Sequence, residues 1–241
     1  MDAMKPWNLE ETYGLVKVVF GQAQERLARE STRSVLDRQA FTRYHYQEAL
    51  RLSKTFERTH LTNSLLIDLH AQDGQRKRVA FEKYIVKAGA HATASIQSLH
   101  AIPDILAHAI YFACGQNLGP NALQERDVTL PAVVGALKHD DAFRCLAPLL
   151  SSAQSGELWR HLAAVSNLSK HRSVVRTALN EDWTGTRKNF RELQFQSFER
   201  DGKYFATQSL QALLEPEYNR LSFLIITLGH ELDACLKQRA A

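Results

Sequence analysis

The sequence predicts a mostly α fold, a single-domain bundle of about five to seven helices with a small β-hairpin near residues 192–208. Three observations support this. Apolar residues recur at three-to-four spacing along most of the 241 residues, and the 44% hydrophobic content suffices for a sizeable core. The stretch 189–210 instead alternates polar and apolar residues around an Asp-Gly pair. No internal repeat and no long linker divides the chain, so we expect one domain over residues 1–241.

The first half of the chain predicts three helices. Residues 9–30 and 34–58 carry apolar stripes at helical spacing. The segment 70–78, HAQDGQRKR, combines an Asp-Gly pair with basic residues and predicts a surface loop. The apolar stretch 79–114 predicts a long helix, which Pro103 should kink or restart because proline removes a backbone donor.

The second half predicts shorter elements before a last long helix. Pro131 should lie in the first turn of a short helix over PAVVGALKHDDAF, since proline is favoured at that position. Another short element is expected at 144–151, and a longer helix at 156–179. After the hairpin, the last helix should run over 216–238, with a proline again in its first turn.

Composition and motifs exclude several classes of protein. No apolar run approaches the roughly 20 residues of a membrane span, and the N-terminus MDAMKPWNLEE lacks the basic, then apolar start of a signal peptide. We therefore expect a cytoplasmic protein with no membrane partner. Cys114, Cys145 and Cys235 lie far apart in sequence, which predicts isolated reduced thiols and neither disulfides nor a metal site. The sequence has no glycine-rich phosphate loop and no nucleophile elbow, and we expect no cofactor.

The basic residues concentrate in one part of the chain. The net charge is +4, and between residues 159 and 191 seven Lys and Arg stand against Glu181 and Asp182, a local excess of five. A local positive field of this kind suits a ligand that carries phosphate. The alternative is an ordinary solvated helix face.

The stretch 166–176, SNLSKHRSVVR, lies inside this basic region and carries the main candidate site. At 100° per residue, a helix over 156–179 places a strip of residues at the border of its buried face. The members of this strip are Arg160, Ala164, Asn167, His171, Val174 and Ala178. A histidine at such a border is partly screened from water and can still meet a ligand. The alternative is structural, with Asn167 bonding the His171 ring and locking it into the packing.

A second polar strip lies within the long helix predicted at 79–114, over residues 91–114. Its members are Gln97, His100, Asp104, His108 and Tyr111. Asp104 is one turn from both histidines and can orient either imidazole. His100 and His108 are about 12 Å apart along a helix, too far to share a metal ion. Because buried polar groups need partners, we expect this strip to face Asn167 and His171 across an antiparallel helix pair, or else to fix helix packing.

The residues SNLSKHR (166–172), in a chain of predicted helices, resemble the HEPN superfamily (higher eukaryotes and prokaryotes nucleotide-binding) over roughly residues 79–180. The resemblance implies a helical bundle that is often dimeric. Many members are metal-independent ribonucleases of toxin–antitoxin and phage-defence systems, and others only bind nucleotides. The active family pattern has an Arg four to six residues before its His, where this chain has Ala164, Val165 and Ser166.

The resemblance implies roles for individual residues. His171 matches the histidine of the motif, Asn167 its usual polar neighbour, and Arg160 or Arg172 could replace the missing Arg. In a nuclease, His171 would be a general acid or base, and His100 and Asp104 would complete the cleft. The candidates for ligand binding are Arg160, Lys170, Arg172, Arg176 and His108.

Three functions stay open from the sequence. The first is binding of a nucleotide or RNA in a basic groove without cleavage, which the missing Arg favours. The second is a metal-independent ribonuclease of a toxin–antitoxin or phage-defence system, with an antitoxin partner. The third is a non-catalytic helical scaffold for protein–protein interaction. The resemblance further implies a homodimer that pairs through the face bearing the motif.

Overall fold

A computed structural model of the chain describes residues 5–71, 74–187 and 189–241. Within them lie seven α-helices and five short strands, so the predicted mostly α fold with a small hairpin is confirmed. The helices are α1 (Leu9–Phe20), α2 (Gln22–His60), α3 (Gln75–Ala113), α4 (Leu130–Lys138), α5 (Leu146–Ser151), α6 (Glu157–His171) and α7 (Leu210–Ala240). The strands are β1 (Thr177–Glu181), β2 (Arg191–Phe195), β3 (Phe198–Arg200), β4 (Lys203–Phe205) and β5 (Gln208–Ser209). No helix in the described ranges has the length and apolar character needed to cross a membrane.

The chain divides into two compact units, and the division falls inside or beside its long helices. Unit 1 comprises Met1–Gln39, Ala101–Gly156 and Glu217–Ala241. Unit 2 comprises Ala40–His100 and Glu157–Pro216. The motif helix α6 and all five strands belong to unit 2.

The first two helices meet at Gly21 and not near residue 31, so the predicted break between 30 and 34 is wrong. Gly21 has a φ of 91°, a conformation that glycine adopts without steric cost, and it ends α1 by donating to the Lys17 carbonyl at 3.0 Å. The residues at 31–33 include no glycine or proline, so nothing interrupts α2 there.

α3 starts at Gln75 and continues through Pro103, so the predicted restart at this proline is wrong. Leu99 and Leu106, on either side of it, are almost fully buried, and such packing offsets the lost hydrogen bond. The predicted loop at 70–78 is also too long, since its last four residues are helical. Its residues 72 and 73 lie outside the described part of the chain.

Proline placement distinguishes α4 from α7. The short helix α4 is confirmed, with Pro131 in its first turn and Thr129 as a cap whose Oγ1 accepts from the Ala132 N–H at 3.4 Å. α7 begins six residues before Pro216, contrary to the prediction. The Ser209 side chain caps this earlier start, so Pro216 does not mark the first turn of α7.

α6 ends at His171, so the predicted helix over 172–179 is wrong. The next two N–H groups both donate to the Leu168 carbonyl at 3.0 Å, which closes the helix. A β-branched pair follows and favours extended backbone, which leads into β1. Val174 and Ala178, the last members of the predicted strip, therefore lie outside the helix.

The strands of unit 2 form a small sheet and a separate hairpin. β2 lies between β1 and β5, and both pairings are antiparallel. β3 and β4 form the predicted hairpin, whose turn residues Asp201 and Gly202 have φ values of 51° and 73°. Such left-handed values at both positions are those of a type I′ turn, which the Asp-Gly pair predicts. The buried core residues of unit 2 include Leu162 and Val165 of α6 and Phe195 of β2.

All three cysteines belong to unit 1. Cys114 and Cys235 are buried and Cys145 is exposed. The Sγ atoms of Cys145 and Cys235 are 3.1 Å apart, although 90 residues separate them in sequence. The prediction of isolated thiols is therefore wrong for this pair, because α7 returns to the start of α5.

Candidate functional site

Four members of the predicted strip remain on one face of α6: Arg160, Ala164, Asn167 and His171. Arg160 and His171 are exposed, Ala164 is buried and Asn167 is half-buried. Arg160 lies eleven residues before His171, which corresponds to about 16 Å along the helix axis. At that separation the two side chains cannot hold one phosphate group, so Arg160 is badly placed to replace the missing Arg within one chain.

Asn167 and His171 do not form the structural pair that the sequence left open. Among the described residues, no hydrogen bond joins the two side chains. The His171 ring is exposed at the last turn of α6. The histidine is therefore accessible to a ligand and contributes little to the core.

The end of α6 and the residues after it form an exposed cationic stretch, Lys170–Arg176, which we call the basic segment. Of its seven residues only Val175 is buried. Arg172 donates to an oxygen of Asp201 at 3.3 Å, in the turn of the hairpin, and both side chains are more than half exposed. No ion pair within the described part of the chain involves Arg176.

Glu181 and Asp182, the two acids of the 159–191 region, are each buried beside an arginine. Glu181 contacts Arg191 at 2.9 Å, and the Glu181 side chain is 5% exposed. The Asp182 side chain is 4% exposed and lies 3.8 Å from Arg187. The two acids of the 159–191 region are thus neutralised inside unit 2. The exposed charge that remains there is mainly positive.

The loop between β1 and β2 is built around Asp182 and presents a tryptophan. The Asp182 carboxylate accepts hydrogen bonds from the Thr184 hydroxyl and N–H and from the Arg187 N–H, at 2.6 to 3.0 Å. These bonds, led by the Thr184 hydroxyl, lower the pKa of Asp182 to about 2. Next to it, Trp183 is 68% exposed and meets the Phe190 ring edge-on at 5.4 Å. The loop therefore holds a large aromatic side chain in water.

A concavity of unit 2 lies between α3 and β1, and we call it the α3–β1 groove. Its volume is about 800 Å³. α3 contributes Phe81, Ile85, Val86, Gly89, Ala90, Thr93, Ala94 and Gln97, and the facing side consists of residues 174–179 and Gln196. Most of these side chains are apolar, and Val86 and Val174 are strongly exposed.

Gly89 on α3 leaves room for the Thr177 side chain of β1. A Cβ at position 89 would lie 2.7 Å from the Thr177 Oγ1, closer than real side chains approach. A glycine inside an apolar helix often marks such a contact, so Gly89 was the available sequence signal for the groove. Residues 177–179 of the partner strand were predicted as helix, so this contact could not be predicted from Gly89 alone.

The predicted polar strip of α3 does not face the motif. Gln97 lines the groove, but His100 stacks on Trp159, with ring centres 5.5 Å apart and planes within 5°. Trp159 lies twelve residues before His171, about 18 Å along the α6 axis. The expected face-to-face arrangement of His100 and His171 is therefore wrong.

The other polar members of that strip belong to unit 1. Asp104 is exposed and accepts a hydrogen bond from the Gln154 side chain at 3.4 Å. His108 is half-buried beside Phe112, with ring centres 6.2 Å apart. Tyr111 is buried and its hydroxyl accepts from the Leu123 N–H at 2.7 Å. These contacts are local packing contacts within unit 1.

The hairpin packs on α6 through aromatic rings. Phe198 and Phe205 stack on each other, and both meet the His161 ring edge-on at 5.4 to 5.9 Å. Burial lowers the pKa of His161, and its Nε2 atom is buried without a hydrogen-bond partner. The hairpin therefore fixes its turn near the basic segment, where Asp201 meets Arg172.

Unit 1 has a smaller polar cavity of about 240 Å³ beside α1 and α7. Several of its charged groups have partners within the fold. Lys237 contacts Glu11 at 2.6 Å, and the His230 ring lies 2.8 Å from the Lys5 carbonyl. Asp233 accepts from the Thr12 hydroxyl at 2.6 Å, and burial raises the pKa of this carboxyl. We therefore take the groove and the basic segment of unit 2 as the candidate site.

Neither a metal site nor a known relative indicates the function of this site. In the described ranges, no group of three or more His, Cys, Asp or Glu side chains could hold a metal ion. No family model, curated protein or solved structure matches the chain. The site must therefore be interpreted from its own chemistry: an apolar groove with exposed cations at one side and an exposed aromatic ring beyond β1.

Proposed function

We propose that the chain binds a nucleotide or RNA, with a base in the α3–β1 groove and the phosphates on the basic segment. One observation carries the proposal: Arg176 belongs to both the α3–β1 groove and the basic segment. The groove therefore opens where the exposed cations lie. Small-molecule sites are commonly apolar concavities of 300–1,000 Å³, as a general range, with a few placed polar groups. The groove fits that description.

The groove offers contacts for both parts of a nucleotide. Its apolar walls suit a flat heterocycle, and small residues such as Ala94 leave room for one. The amides of Gln97 and Gln196 supply donors and acceptors for the edge of a base. The guanidinium groups of Arg176 and Arg172 suit phosphate, which they bind in bidentate geometry.

A longer ligand can follow β1. The strand places the basic segment and Trp183 at its two ends, about 17 Å apart at the usual rise per residue. Single-stranded RNA is bound in this way in general, by cations that follow the backbone and aromatic rings on which bases stack. The exposed Trp183 therefore favours RNA over a mononucleotide alone.

We expect binding without cleavage. The position of the Arg in the active family pattern is occupied by Ala164, Val165 and Ser166, and Arg160 lies too far along α6 to replace it. A ribonuclease with an antitoxin partner is the alternative outcome, and cleavage that depends on His171 would support it. We also expect a homodimer, as the resemblance implies, in the cytoplasm; light scattering at micromolar concentration that gives the mass of one chain would contradict the dimer.

A titration tests the cationic half of the proposal. The probe is a fluorescently labelled single-stranded RNA oligonucleotide, followed by polarisation at two salt concentrations. Arg176→Ala should weaken binding about three- to tenfold and reduce the salt slope by about 0.7, the contribution of one phosphate contact to a single strand. Arg126→Ala removes an exposed arginine of unit 1 and serves as the matched control. Equal affinities of the two variants would contradict the proposal.

A second pair of variants tests the groove. Val86→Glu places a carboxylate at the groove, where Val86 is 71% exposed, so binding of RNA and of a labelled mononucleotide should fall more than tenfold, about 1.4 kcal/mol or more. Val18→Glu makes the same change on α1, at a valine that is 73% exposed in unit 1. This control should bind as the wild type does. If both variants bind normally, the groove is not the binding site.

A further inference from the structure

The thiols of Cys145 and Cys235 lie next to each other in unit 1. Their Sγ atoms are 3.1 Å apart, and a disulfide requires an approach of only about 1 Å more. Cys145 lies in the turn that leads into α5, where the backbone adjusts more easily than inside α7. The pair therefore needs only a small movement to become covalently joined.

The two sulfurs differ in access to solvent. Cys145 is exposed, whereas Cys235 is 7% exposed. Burial, and then the neighbouring Cys145, raise the pKa of Cys235 to about 12, so it stays protonated at neutral pH. A dissolved oxidant thus reaches Cys145 first, and Cys235 is placed to react with the product.

Cys114 is a third thiol of unit 1 that provides an internal control. It follows α3 directly and is 2% exposed. Burial holds its pKa well above the usual range, so both access and charge protect it from oxidation.

We propose that Cys145 and Cys235 are a redox modification site, which a hydroperoxide oxidises to an intramolecular disulfide. The Cys145 thiolate attacks one oxygen of hydrogen peroxide, the O–O bond breaks, and the other oxygen leaves as water after taking up a proton. This gives a sulfenic acid at Cys145. The Cys235 sulfur then attacks the Cys145 sulfur while the Cys235 proton passes to the departing oxygen, so that the S–O bond breaks and this oxygen leaves as water.

The balance of the reaction is two thiols and one peroxide giving one disulfide and two waters. The two sulfurs together lose two electrons, and the peroxide gains them. A dithiol reductant reverses the change, as expected for a disulfide that responds to redox conditions inside a cell. The bond would join the start of α5 to α7 across 90 residues of chain, which should raise the melting temperature of the oxidised protein.

Peptide mapping tests the proposal on the full chain. The purified protein is treated with increasing hydrogen peroxide, alkylated under denaturing conditions, and analysed by mass spectrometry. We expect an intact mass lower by two hydrogens, a cross-linked peptide pair containing Cys145 and Cys235, and an alkylated Cys114. Dithiothreitol should restore three alkylated cysteines.

Serine variants sharpen the test. Cys114→Ser should form the disulfide as the wild type does, whereas Cys145→Ser should form none. Cys235→Ser should accumulate a sulfenic acid at Cys145 that dimedone captures. Should Cys235→Ser not fold, the wild-type peptide map still decides. A wild-type protein that gains oxygen at Cys145 without cross-linking, links Cys114, or forms only intermolecular disulfides would overturn the proposal.

Discussion

The two units differ in whether the charged side chains at their cavities are paired within the fold or exposed to solvent. In the polar cavity of unit 1 several charged groups meet partners within the fold, such as Lys237 with Glu11 and Asp233 with Thr12. In unit 2 the acids Glu181 and Asp182 are buried beside Arg191 and Arg187, whereas the cations of the basic segment remain exposed. Charges that pair inside a fold stabilise it, whereas cations left exposed by the burial of nearby acids are available to a ligand.

The largest expected effect is the loss of RNA binding when the basic segment is reversed in charge. The double variant Arg172→Glu with Arg176→Glu should bind RNA about 100-fold more weakly at low salt, because two phosphate contacts become repulsive. Its free energy of unfolding should change by less than about 1 kcal/mol, since the ion pair lost among the described residues, that with Asp201, is exposed.

The matched control for charge is the double variant Arg126→Glu with Arg144→Glu in unit 1. Both arginines are at least 70% exposed, and the change in net charge is the same. If this control loses RNA affinity equally, the effect comes from the overall charge of the chain and not from the basic segment.

Thr12→Val in unit 1 should have the reverse pattern, with an effect on stability and none on RNA affinity. Thr12 receives a hydrogen bond from the Trp7 indole N–H and donates one to Asp233, so its loss leaves two polar groups without a partner. We expect a loss of about 1–3 kcal/mol in the free energy of unfolding, with RNA affinity unchanged. Thr62→Val, which removes an exposed hydroxyl bonded to the Arg58 carbonyl, should change stability by much less. A stable Thr12→Val protein would show that unit 1 does not depend on this charge network.

A smaller effect is expected in the pH dependence of stability. Burial lowers the pKa of His161 below 6.5 in the folded protein, slightly opposed by Glu157 one turn before it. The unfolded chain therefore binds more protons, and stability should fall as pH decreases below about 6.5, until the folded ring is also protonated. His161→Phe should remove the part of this loss of stability that comes from His161 between about pH 7.5 and pH 5. Chemical denaturation at both pH values measures it, and an unchanged fall in the variant would assign the effect elsewhere, for example to His45, whose pKa burial also lowers.

The smallest expected effect on stability is that of His171→Ala. Because the ring is exposed and has no hydrogen bond to Asn167, the free energy of unfolding should change by no more than about 0.5 kcal/mol. RNA binding should weaken by about threefold, and neither protein should cleave RNA. A cleavage assay with labelled RNA checks this, and clean cleavage by the wild type that His171→Ala abolishes would favour the ribonuclease alternative.

Local signals predicted most of the fold. The three-to-four spacing of apolar residues predicted the helices, and Asp201 with Gly202 predicted the hairpin turn. The errors lie at helix ends, where tertiary contacts decide. α3 continues through Pro103 because its neighbours are buried, and α6 stops at His171 because the following residues join a sheet.

The candidate site was predicted only in part. Charge can be counted along a sequence, so Lys170, Arg172 and Arg176 were identified as ligand candidates. The groove depends on Gly89 meeting Thr177, a contact between distant parts of the chain. The thiol pair has the same origin, since the fold alone brings two distant cysteines together. The spacing of residues within one helix could predict neither the groove nor the thiol pair.

Photo-crosslinking tests the central claim most directly, because it reports where the ligand lies. A single-stranded RNA oligonucleotide that contains thiouridine is bound to the wild-type protein, irradiated, and digested, and the adducts are located by mass spectrometry. We predict adducts within α3 residues 81–97 and within 174–183, with none in the α1 and α7 peptides that surround Asp233. Adducts confined to unit 1, or RNA that binds without any adduct in these two stretches of unit 2, would contradict the assignment of the α3–β1 groove.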